Sequence, residues 1–139
     1  MPTLRGVPTA PTDPAAPAVL TQRHGSTLLV TLNRPDQRNA LTPEAYLRLA
    51  EAWYELRDDR ELRVAILTGA GTQAFSVGAD LRTSVPLLSR SREPQDEWEE
   101  RFVSDLSIMN DALLRNLVLT KPVVAAVNGP AIGDRKSVV

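Results

Sequence analysis

Arg63-Val64-Ala65-Ile66-Leu67-Thr68, stopped by Gly69-Ala70-Gly71, is a short, almost continuous apolar run rich in β-branched residues. A run that does not alternate with polar residues suits a strand covered on both faces, as in a parallel sheet. Upstream, Val19-Leu20-Thr21 and Thr27 to Leu32 (TLLVTL), broken by His24-Gly25-Ser26, predict a β-hairpin, and Arg34-Pro35-Asp36 stops its second strand. Thr42 followed by Pro43 is an N-cap and first-turn pair, and Tyr46, Leu49, Ala50, Trp53 and Leu56 recur at three-and-four spacing. With Glu44, Arg48, Glu51, Glu55 and Arg57 on the other face, this predicts a helix lying on a core and ending near Asp58-Asp59. Downstream, residues 84–96 mix Pro, Ser and Arg without period and predict a mobile loop, a candidate lid. Trp98, Phe102, Leu106, Met109, Leu113 and Leu117 then carry the stripe of a second long helix, ended by Pro122, and Val123 to Val127 predict another buried strand. Strand and helix alternate without internal repeat, which implies an α/β domain with right-handed crossovers.

The 139 residues are 42% apolar and 24% charged, a composition that supports one core. Five prolines fall within residues 1–17, which are read as a disordered arm. No apolar run approaches a bilayer span and the start lacks a secretory h-region, so a cytoplasmic location is the default expectation. The absence of cysteine removes disulfides, thiolate nucleophiles and thiolate metal sites, and a lone His24 cannot supply a polyhistidine metal cluster. Sixteen Lys+Arg against 17 Asp+Glu, interspersed, give neither the basic stripe of a nucleic-acid binder nor a polybasic membrane patch.

Chemistry is expected where Gly and small residues end strands: Asn33 to Leu41, Gly69 to Leu81, and Asn128 to Gly133. In Gly78-Ala79-Asp80 the glycine lets a ligand approach the backbone, and Asp80 can cap a short helix with outward amides. Such an amide, paired with one from another loop, is what an enolate or tetrahedral oxyanion requires. The plainer alternative is a turn that only caps a helix. Gly69-Ala70-Gly71-Thr72-Gln73-Ala74 also satisfies a G-x-G-x-x-A dinucleotide fingerprint, but Gly78 and Pro86 follow too soon for the helix such a site needs. His24 is expected on the surface, Trp53 and Trp98 in the core, and Glu97, Glu99 and Glu100 as solvated charges stabilising a helix start.

Taken in order, NRPDQRNAL (33–41), AILTGAGTQAFSVGADL (65–81) and KPVVAAVNGPAIG (121–133) resemble the enoyl-CoA hydratase/isomerase (crotonase) family, from about Val19 to Gly133. The resemblance implies the N-terminal part of an α/β, crotonase-like ββα superhelix over residues 18–133, acting on acyl-CoA thioesters and assembled as a homotrimer or hexamer when full length. It aligns Arg38 and Ala40 with the segment lying along CoA, and Ser76, Gly78, Asp80 and Leu81 with the acyl-CoA pocket. The backbone amide of Ala79 takes the place of the first oxyanion-hole donor, and Arg82 stands near the nucleotide part of CoA. Gly129 and Gly133 fall on the same substrate-binding segments. The implied activity is hydration of 2-enoyl-CoA through a stabilised enolate. No metal, no nucleic acid, no membrane and no cofactor are implied beyond coenzyme A as part of the substrate.

Two departures leave the reaction open. Val77 replaces the small residue common before this glycine, and Arg82-Thr83-Ser84 lacks the acidic residue usual in hydratases. An isomerase, decarboxylase or hydrolase of the same family, or an acyl-CoA-binding fragment without chemistry, are the alternatives. Asp134 stands where the family places its second donor glycine, and DRKSVV (134–139) also reads as a translated sequencing adapter. Residues 134–139 are therefore expected to be a non-native tail, and the printed chain, without the family's catalytic carboxylates, to be inactive and prone to aggregate.

Overall fold

The computed structural model describes residues 16–132. The arm expected over 1–17 lies mostly outside that range, as do Gly133 and the expected tail, 134–139. A four-stranded sheet has the order β1-β2-β3-β4, with β1 Val19–His24, β2 Thr27–Leu32, β3 Val64–Gly69 and β4 Val123–Ala126. The hairpin β1/β2 is antiparallel, with His24 paired to Thr27 across a turn whose Gly25 has φ +60°, a conformation that glycine adopts without strain. The β2/β3 and β3/β4 pairs are parallel, each bridged by helical chain. The central position of β3 is what its unalternating sequence predicts.

Helix α1 (Pro43–Asp58) starts as expected: the Thr42 side chain accepts a hydrogen bond from the Ala45 N–H and Pro43 occupies the first turn. Its stripe carries Trp53 and Leu56, fully buried against Leu28, Val30, Ala65 and Leu67 of the sheet. At the far end of α1, the Lys121 ammonium donates to the Leu56 and Asp59 carbonyls at 2.6 Å each. There a cation also meets the negative end of the helix dipole.

Four expectations are corrected. The second long helix is two short ones, α3 (Glu97–Ser104) and α4 (Ser107–Ala112). Asp105 breaks it: leaving the helical conformation at φ −145°, its carboxylate accepts from the Ser107 N–H and hydroxyl, a local bond that competes with the helical ladder. Leu106 is consequently 44% exposed, while Phe102 stacks on Tyr46 and Trp53 donates to the Ala112 carbonyl at 2.9 Å. The segment expected as loop over 84–96 begins with a helix, α2 (Ser84–Leu88), and the buried Ser84 hydroxyl ties it to the Leu41 carbonyl at 2.8 Å. Glu99 is buried, not solvated, where Arg92 grips it with two bonds of 2.7 and 2.8 Å and the Gln95 N–H adds a third. The guanidinium therefore holds its carboxyl below the usual range despite burial. Finally, β4 is the last strand of the sheet among the described residues, and one of its faces is open, not covered: Val124 is 51% exposed. Trp98 packs against the rim of the core with Arg48 and Arg101 over its ring, and His24 is exposed, as expected.

Candidate functional site

The three strand-end segments meet at the ends of β2, β3 and β4. Residues 38–41 and 77–80 run side by side, linked by Val77 N–H to Arg38 O (3.1 Å), Leu41 N–H to Gly78 O (2.6 Å) and Asp80 N–H to Leu41 O (2.9 Å). From the third segment, Pro130 O accepts from Phe75 N–H and Ile132 N–H donates to Ser76 O, both at 3.0 Å. The buried Gly78, at φ +100°, turns the chain between these two neighbours in a conformation that other residues rarely adopt.

This bonding isolates one amide. The Gly78 N–H donates to Ser76 Oγ at 3.1 Å, and the Val77 and Asp80 amides are taken as above. The Ala79 N–H has no partner among the described residues. The peptide unit is planar and trans, so the Ala79 N–H points opposite to the Gly78 carbonyl that Leu41 holds, away from residues 38–41. Ala79 is half-buried, and Leu81 two residues on is 79% exposed.

Asp80 is structural. Its Oδ1 accepts from the Arg82 and Thr83 amides (2.8 and 3.1 Å), and its Oδ2 pairs with Arg34 at 2.8 Å. Burial alone would raise this carboxyl, but Arg34 and the two amides outweigh burial and hold it below the ordinary aspartate range. The carboxylate closes the turn at 81–83 and does not cap the helix as expected: the N-cap of α2 is Thr83, without a side-chain bond, and the amides expected to face outward are consumed by Asp80 itself. Ser76 is likewise fully buried, its hydroxyl donating to Asn39 O at 2.8 Å. The Ala40 carbonyl is taken by Arg34 at 3.0 Å. Arg38 and Arg82 are exposed, and neither has an ion-pair partner among the described residues. A Cβ on Gly129 would lie 3.1 Å from Ala74 Cα, so that glycine permits close packing of two loops.

Two asparagines that the sequence reading did not single out hold the site together. Buried Asn39, at φ +55°, donates to Ala70 O and Ala74 O at 3.0 Å each and accepts from Arg34 N–H at 2.9 Å. Asn128 accepts from Gly69 N–H and donates to Gly71 O, both at 3.1 Å. The signal for Asn39 was its residue type: Asn tolerates the left-handed region and bonds nearby backbone in loops. No helix follows Gly69 and Gly71, so the dinucleotide fingerprint is not realised. A cleft of about 430 Å³ takes in Arg34, Thr83, Trp98 and Glu99 but none of the residues expected to contact substrate, and its carboxylates Asp36, Glu44, Asp96 and Glu99 disfavour a phosphate. The described residues contain no group of three or more His, Asp or Glu suited to a metal, and no helix long and apolar enough to cross a membrane.

The sheet with its strand-end loops matches one known architecture. The enoyl-CoA hydratase/isomerase family model covers residues 22–134, and the chain belongs to that family. It is 41% identical over 118 residues to an enoyl-CoA hydratase, EchA19, of Mycobacterium tuberculosis, covering 85% of this chain and 41% of the relative. It is 38% identical to an (E)-benzylidenesuccinyl-CoA hydratase of Thauera aromatica over 75% of this chain and 36% of the relative. Among solved structures, an enoyl-CoA hydratase/carnithine racemase from Magnetospirillum magneticum superposes with a TM-score of 0.64 at 35% identity, over 84% of this chain and 40% of the other. The fold is thus α/β and crotonase-like, and the chain spans about two fifths of the length of these relatives.

Proposed function

We propose that residues 18–133 are the N-terminal part of an acyl-CoA enzyme that hydrates 2-enoyl-CoA, and that the Ala79 N–H is one of two donors to the thioester oxygen as it gains charge. The observation that carries this is the directed Ala79 amide, without a partner among the described residues and set between neighbours that are all engaged. A donor already fixed before the substrate arrives costs no reorganisation as the oxyanion forms. Around it, exposed Leu81 offers an apolar flank for an acyl or pantetheine chain, and the free guanidinium groups of Arg38 and Arg82 suit CoA phosphates. Coenzyme A enters as part of the substrate, and no further cofactor is proposed.

Hydration also needs one group to activate water and another to protonate the α-carbon. Asp80 cannot serve, being committed to Arg34 and two amides. Those groups and the second oxyanion donor, which the family resemblance places after Gly133, lie outside the described residues, and residues 18–133 are proposed to contribute the first donor and part of the acyl-CoA surface. Assembly as a homotrimer or hexamer and a cytoplasmic location are proposed on the resemblance alone.

Two measurements test this. Equilibrium dialysis with butyryl-CoA should give saturable binding to the chain, weakened in Arg38→Ala and Arg82→Ala, and no binding would reject the reading. In an enzyme carrying this segment at full length, Ala79→Pro removes the donor without breaking an internal hydrogen bond and should lower kcat by about one to three orders of magnitude. Unchanged turnover would reject the assignment of Ala79.

A further inference from the structure

Ser76 was expected to line the acyl-CoA pocket, yet it is fully buried and its Oγ is taken twice, donating to Asn39 O at 2.8 Å and accepting from Gly78 N–H at 3.1 Å. Neither bond reaches a ligand. Asn39 is itself immobilised, because its amide side chain spans Ala70 O, Ala74 O and Arg34 N. A line of bonds therefore runs from the end of β3 through Asn39 and Ser76 to the Gly78 N–H.

Gly78 is the only hinge between the peptide that Ser76 holds and the next one, which carries the Ala79 N–H. Glycine resists rotation least of all residues, so its direction must be fixed from outside. Leu41 fixes it on the carbonyl side and Ser76 on the amide side. We infer that Ser76 is a positioning residue for the Ala79 amide, acting through Gly78 and never touching substrate. The inference rests on the reading of Ala79 as an oxyanion donor. In Ser76→Ala the Asn39 carbonyl and Gly78 N–H face an unfilled gap, and closing it turns the peptide plane. Hydrogen bonds weaken steeply with angle, so polarisation of the thioester falls while the rest of the binding surface is untouched.

The test is infrared difference spectroscopy of butyryl-CoA labelled with ¹³C at the thioester carbonyl, bound to the 139-residue chain. The carbonyl band of the ligand on the unaltered protein is expected below its position in water. Ser76→Ala is expected to lose at least about half of that displacement while Kd changes by less than about threefold, since only a bond directed at developing charge is impaired. Ser76→Cys, with a weak sulfur acceptor in the same place, is expected between the two, and it carries the test alone if Ser76→Ala does not fold. Full displacement in either folded variant overturns the role of Ser76 and leaves Ala79 standing. No displacement with the unaltered protein, or no binding, overturns the Ala79 reading and this inference with it.

Discussion

Replacing Asn39 by alanine removes three hydrogen bonds to main chain from the site at once. The side chain is 1% exposed and makes three hydrogen bonds to main chain, so the substitution strands two carbonyls and one N–H. A buried polar group left unpaired costs about 1–3 kcal/mol, and carbonyls with further bonding capacity fall at the lower end, giving about 3–5 kcal/mol for the three. Alanine at φ +55° adds about 1–2 kcal/mol, a penalty that asparagine largely escapes. The sum, about 4–7 kcal/mol, is comparable with the whole stability of many small domains. Asn39→Gly loses the same bonds but not the conformational penalty, and should be about 1–2 kcal/mol more stable than Asn39→Ala. Urea unfolding followed by circular dichroism measures both. A loss under about 1 kcal/mol for Asn39→Ala, or no difference between the two variants, would show that these bonds and the left-handed backbone at residue 39 do not hold the loops together.

Other consequences are equally specific. The Asp80 carboxyl is held below its ordinary range, so its contribution is present above the unfolded value near 4 and is lost as pH falls through the lower folded value. The stability lost in Asp80→Asn should therefore be largest at neutral pH and shrink toward pH 3, and a pH-independent loss would contradict the Arg34 pairing. Tyr54, donating to Asp111, with burial adding to the effect, has its phenol pushed up to about 12, so its stabilisation is complete below pH about 10 and disappears as pH rises toward the folded value. In an ultraviolet tyrosinate titration this late phase should vanish in Tyr54→Phe. A Cβ on Gly69 would sit 2.6 Å from Phe75 O and 2.8 Å from Asn39 Nδ2, so Gly69→Ala should cost about 3 kcal/mol or more. Gly25→Ala, in open space at φ +60°, should cost only about 1–2 kcal/mol. Equal thermal shifts for the two would show that the Gly69 contact is not tight.

The hairpin, α1 and the central strand were legible because each has a local cause: Gly25 in a turn, Thr42 with Pro43 at a helix start, and an unalternating run at 64–68. The division of α3 from α4 was less so. The apolar stripe passes through Ser104-Asp105 unbroken in spacing, and only the Asp105 side chain's bond to Ser107 ends the helix. Exposure of β4 was not legible either, because four or five apolar residues look alike whether a face of the sheet is open or covered. At the site, Gly78 and Asp80 pointed only to some amide of that turn, and it was the family resemblance that assigned Ala79; the amide's freedom depends on partners from residues 38–41, far away in sequence. The buried roles of Ser76, Asp80 and Asn39 likewise depend on long-range bonds to Asn39, Arg34 and Ala74 respectively.

Whether Ala79 presents its N–H to a thioester oxygen can be read from the amide proton resonance of Ala79 during titration with butyryl-CoA and with S-butyl-CoA, the thioether lacking the carbonyl. A clear downfield shift is expected with the thioester and little change with the thioether, because only the carbonyl oxygen accepts the bond. Equal responses to the two ligands, or none to the thioester once it is bound, would contradict that role of Ala79.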